Sequence, residues 1–108
     1  MGLYISPSSF VADPSRPGVS TLSSVAQSAT SVSLLAANAD RRFASIHNTS
    51  NQDLFVAFAG TASTTSYTVK VPKDSFFETQ PDGYTGAVSG IWSSAGSGAA
   101  KITEVTNV

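Results

Sequence analysis

From Thr21 onward, apolar and polar positions alternate with a period of two, in short bursts broken by turn residues. "LSSVAQS" and "TSVSLL" each read as a strand, the second with Val32 and Leu34 set against Ser31 and Ser33. "RRFASIHN" places Arg42, Ala44 and Ile46 on one face and Phe43, Ser45 and His47 on the other. "LFVAFA" sets Leu54, Val56 and Phe58 against Phe55, Ala57 and Ala59. "TSNQD" between them is dense in turn residues, so Arg41 to Gly60 reads as two strands and their turn, one hairpin of a small sheet. "YTVKV" points Tyr67, Val69 and Val71 inward, and "DSFFET" is a further short strand. Pro81, Asp82 and Gly83 favour a tight turn. "AVSGIW" and "AAKITEVT" form a final pair, with the Gly/Ser-rich "SSAGSG" as a flexible hairpin connection. No stretch shows a 3.6-residue period. The pattern predicts an all-β domain over residues 21–108: an antiparallel β-sandwich, or a jelly-roll-like small barrel, of seven or eight short strands.

Residues 1–20 depart from this pattern. Pro7, Pro14, Pro17 and Gly18 exclude a helix and a central strand, so the segment reads as an extended N-terminal arm. Leu3, Tyr4, Ile5, Phe10 and Val11 make it too apolar for a solvated linker. Such residues either cover the domain's own sheet or dock on a neighbouring subunit.

Composition narrows the functions open to the chain. One domain of 108 residues holds a modest core and gains stability from association. Charged residues are 12% and the net charge is -1, too little field to grip nucleic acid or an anionic membrane. Without cysteine there is no disulfide, zinc ribbon or thiolate nucleophile. No apolar run reaches the ~20 residues of a membrane helix, and the start lacks the pattern of a secretory signal. "MGLYIS" has N-myristoylation spacing but reads as a common Met-Gly start in a serine-rich chain.

The candidate chemistry is thin. His47, the only histidine, sits at a strand end beside "NTSNQ" with no Gly-x-Ser-x-Gly elbow, so it reads as a solvent-facing polar residue. Asn48-Thr49-Ser50 matches a glycosylation triplet but reads as turn chemistry. Asp53, Asp74, Glu78, Asp82 and Glu104 are scattered, and nothing in the spacing joins two of them as a catalytic pair or a metal site. No cofactor motif is present, and no enzyme is expected. Tyr67, Tyr84 and Trp92 are suited to sugar stacking, but also to core or interface packing. Arg41 and Arg42 enter a strand on opposite faces, so one can reach a carboxylate such as Asp40 or Asp53. The pair reads either as a solvated strand start or as an intersubunit contact.

Taken together, Ser24 to Thr106 resembles a group of small tailed-bacteriophage virion proteins, most specifically through "LLAANADRR" and "YTGAVSGIW". The chain departs from that pattern at Phe43, where a small residue is expected, and at the longer "KDSFFETQPDG" segment. The resemblance implies an all-β, non-enzymatic structural protein that decorates or cements a capsid, or serves as a head or tail appendage, often as a homotrimer. It implies a location on the virion, with the bacterial host cytoplasm as the site of assembly. The partners are then copies of itself and a major capsid protein or another virion structural protein, with no nucleic acid and no membrane. Leu3, Tyr4, Ile5 and Phe10 of the arm, with Arg41 and Arg42, are the expected contact residues. A tail or fibre adaptor, or a module that binds carbohydrate or a receptor, is the alternative.

Overall fold

The computed structural model describes residues 18–107. Among these residues there are eight strands and no helix: β1 (Gly18–Ala26), β2 (Val32–Leu35), β3 (Arg41–Asn48), β4 (Leu54–Ala57), β5 (Val69–Val71), β6 (Phe76–Glu78), β7 (Val88–Trp92) and β8 (Ala99–Asn107). They form two four-stranded sheets, ordered β1-β8-β3-β6 and β2-β7-β4-β5, with every pairing antiparallel. The chain is in effect one long ribbon doubled back at the β4–β5 loop, so that β1 pairs β8, β2 faces β7, β3 faces β6 and β4 pairs β5. Rolling that ribbon sets β8 beside β3 and β7 beside β4, which is the connectivity of a jelly roll. The expected sandwich is therefore present as two stacked sheets.

Two local expectations fail for one reason. β3 and β4 lie in different sheets, so Arg41 to Gly60 is not a hairpin: its turn carries the chain from one layer to the other. The same holds for β7 and β8, which "SSAGSG" joins across the sandwich. Alternation reports which face of a strand is buried but says nothing of which strand lies beside it. The arm boundary also moves. Gly18, Val19 and Ser20 pair with Asn107, Thr106 and Val105, so they belong to β1.

The core lies between the layers. Ala44, Ile46, Ala100 and Ile102 from one sheet meet Leu34, Leu54, Val56, Val71, Val88 and Trp92 from the other. Burying each Val, Leu or Ile of this set contributes roughly 1.5–3 kcal/mol, and the alanines less. Gly90 in β7 leaves room for side chains of the two strands beside it in its own sheet: a Cβ there would sit 2.8 Å from Leu34 Cδ1 of β2 and 3.0 Å from Leu54 Cδ1 of β4. The Pro81-Asp82-Gly83 turn forms as expected. Gly83 N donates to Gln80 O at 3.1 Å, and Asp82 takes the positive φ (56°) that the third position of a type II turn requires.

Candidate interaction surface

Leu3, Tyr4, Ile5 and Phe10 lie outside the described residues. The two arginines lie within them, and the structure separates their roles. Against β8, Arg41 pairs with Thr106 and Phe43 with Val105, so two steps on β3 match one on β8. That β-bulge at Arg42 shifts the phase of the strand. Arg41, and not Arg42, therefore shares the inner side with Ala44 and Ile46, and its side chain is 0% exposed. Its Nε donates to Glu104 Oε2 at 2.7 Å, Nη1 to Gly86 O at 3.0 Å and Nη2 to Ala36 O at 2.6 Å. Neither a solvated strand start nor an intersubunit contact describes it. Arg41 is an internal clamp on β8, the β2–β3 loop and the β6–β7 loop. Arg42 is half-buried and donates from Nε to Asn107 Oδ1 at 2.8 Å. Asp53 faces Lys70 at 3.9 Å, an exposed pair worth little.

The Asn-Thr-Ser triplet is a structural hub. Asn48 ends β3 with 0% exposure. Its Nδ2 donates to Gln52 O (2.7 Å) and Val71 O (2.9 Å). Its Oδ1 accepts from Ser50 N (3.1 Å) and Trp92 Nε1 (3.2 Å), with Ser50 Oγ 2.7 Å away. This amide organises the turn between the layers and has no room for a glycan. Trp92 is thus a core residue and not a ligand platform. Tyr67, expected to point inward, is exposed and lies edge-on to Phe55, with ring centroids 4.9 Å apart. Tyr84 stacks on Phe58 at 4.8 Å and donates its hydroxyl to Ala87 O. Phe58, Phe77 and Tyr84, with Glu78, Thr79 and Gln80, line a cleft of about 370 Å³. His47 is exposed on the outer face of its sheet. Among the described residues, no three His, Asp or Glu side chains gather as a metal site.

The surface that stands out was not singled out by the sequence. β1 is an edge strand of nine residues in which only Val25 is even partly buried. Its register with β8 runs unbroken from Gly18 to Ala26. Lys101 Nζ donates to Ser24 Oγ at 3.2 Å, which fixes the outer face: Leu22 lies over Thr103, in the row continued by Ser45 and Glu78. Phe43, Val105 and Phe76 share that face. Leu22 is 77% and Phe76 68% exposed. A shallow groove of about 420 Å³ follows the β1–β8 ribbon, lined by Leu22 to Ser24 and Lys101 to Thr103. The alternation that usually marks a half-buried strand hides this, because both faces of β1 are open.

No family model matches the chain, and no curated protein matches it. Its fold is similar to a solved structure from work on Bacillus endospore appendages, described there as a novel family of disulfide-linked pili. The two agree with a TM-score of 0.52 over 95% of this chain and 99% of that one, at 15% sequence identity. At that identity the likeness is one of fold.

Proposed function

We propose that this chain is a non-enzymatic structural subunit of a bacteriophage virion, decorating or cementing the capsid surface, attached through its N-terminal arm and associating with its own copies. The observation that carries the reading is β1: a nine-residue sheet edge, open on both faces, with Leu22 exposed at its centre and the apolar arm leading directly into it. A long, uncharged, unpaired edge of that kind invites association unless something covers it. The resemblance over Ser24 to Thr106 supplies the virion, and the low charge is compatible with dense packing of copies. The pilus-forming neighbour is a second protein of this fold that builds an assembly, though by disulfide links. A chain without cysteine has no such link, so its cohesion rests on burial and strand contacts. Many weak sites on a symmetric shell then add up without any strong one.

Removal of residues 1–17 tests the attachment. Gly18 to Val108 is expected to stay folded and to lose its place on virions. Undiminished occupancy after that deletion would overturn the arm mechanism.

The aromatic cleft of Phe58, Phe77 and Tyr84, rimmed by Glu78 and Gln80, favours a second reading as a tail or fibre module for carbohydrate or receptor. A glycan array decides it: binding abolished by Tyr84→Ala supports that reading, and silence at millimolar glycan removes it.

A further inference from the structure

We infer that two copies of this chain join edge to edge through β1, antiparallel about a two-fold axis at Leu22, so that two four-stranded sheets become one continuous sheet. The inference names the contact by which the chain meets its own copies. It rests on the reading above for self-association and not for the virion.

Length is the first argument. Sheet edges in stable proteins are usually kept short, bulged, charged or interrupted by proline. Three of the four edges here obey: β5 and β6 have three residues each, and β2 has four with an irregular register. β1 does not. It runs nine residues without a bulge and contains neither proline nor a charged side chain. Among the described residues, only another β1 presents an edge long enough to satisfy it.

The residues themselves are the second argument. "GVSTLSSVA" reads nearly the same in both directions. With Leu22 facing Leu22 of the second copy, Ser20 faces Ser24, Thr21 faces Ser23, Val19 faces Val25 and Gly18 faces Ala26. Every cross-strand pair joins like with like: hydroxyl with hydroxyl, β-branched apolar with β-branched apolar, leucine with leucine. Such pairs are the unit of sheet stabilisation, and a neutral strand brings no like-charge repulsion on meeting itself. A slip of one residue would move Leu22 to the opposite face from its counterpart, so the register is specified. A two-fold contact is also isologous and closes on itself, whereas β1 against the three-residue β6 of a neighbour would be head-to-tail and leave most of the edge bare.

The absence of native cysteine makes the test direct. In the full chain, Leu22→Cys places one thiol per copy on the axis, at the separation a disulfide accepts. Mild oxidation is expected to give a covalent dimer. Ser20→Cys alone and Ser24→Cys alone are expected to stay uncrosslinked, while a mixture of the two gives the mixed dimer. Leu22→Lys should weaken the dimer roughly tenfold or more in sedimentation, because like charges then lie directly opposite. Its near-ultraviolet signal from Trp92 should be unchanged. A chain that sediments as an oligomer but does not crosslink at Leu22 overturns the pairing and leaves self-association standing. Crosslinking by Ser20→Cys alone overturns the register, and a monomer at all concentrations overturns both. Virion occupancy is decided separately by the arm deletion.

Discussion

Arg41 and Asn48 stand at opposite ends of β3 and close the sandwich at both. Arg41 fills its buried site with donors aimed at a carboxylate and three loop carbonyls, and removing it strands all four. Breaking a buried pair from one side typically costs 3–5 kcal/mol. Glu104 keeps some access to water, so Arg41→Met is expected to cost about 3 kcal/mol, read as a lower denaturant midpoint. Asn48 poses a sharper test, because its amide is used as both donor and acceptor. Asn48→Asp keeps the size but turns Nδ2 into an oxygen facing the Gln52 and Val71 carbonyls. It should destabilise at neutral pH by at least as much as Asn48→Ala, about 3 kcal/mol, since both orphan buried partners. Trp92 fluorescence reports on either variant, because its indole N–H bonds to this amide. The triplet was legible as turn chemistry from its residue types. That Asn48 would be the buried member and Thr49 the exposed one depends on where the chain leaves the layer.

At the scale of elements, the β7–β8 connection shows why glycine and serine do not by themselves mean flexibility. Gln27 reaches across from the end of β1, donating from Nε2 to Ser94 O at 2.9 Å and accepting from Gly98 N at 3.1 Å. A Cβ on Gly98 would lie 2.4 Å from Ser50 Cβ and 2.9 Å from Gln27 Oε1. The loop is pinned, and its glycines allow two other segments to approach. Gly98→Ala is expected to cost roughly 1–3 kcal/mol through overpacking, whereas Gly60→Ala, with open space around its site, should change stability little. A comparison of thermal midpoints checks the contrast. Most strands were readable from their alternation, and Ala44, Ile46, Leu54, Val56 and Val71 fall inside as that pattern requires. The arginine faces were misread because a bulge leaves no mark in the periodicity. Tyr67 was misread because its strand begins two residues later, at Val69.

For the molecule as a whole, the ribbon topology makes the first and last strands partners, with Gly18 opposite Asn107. The longest ladder therefore waits on closure of nearly the entire chain, which slows folding. Joining residue 107 to residue 18 through a short turn, and opening the chain in the β4–β5 loop between Thr64 and Thr65, would make that ladder a local hairpin. The permutant is expected to keep the fold and to refold faster than Gly18 to Val108, measured by stopped-flow Trp92 fluorescence. Equal or slower refolding would show that β1–β8 pairing does not limit the rate.

Local stereochemistry acts on neighbours in the chain, so the sequence alone determined what is local: the period of two, the turns, the absence of helix among the described residues, the inward residues of most strands, and the exclusion of disulfide chemistry. Strand partnership, the bulge at Arg42, the burial of Arg41 and the bare edge of β1 belong to the tertiary structure. Each depends on groups far apart in sequence coming together, or failing to. An alternating strand carries the same pattern whether its second face meets a layer, water or another copy, and only the packed molecule shows which surface is left uncovered.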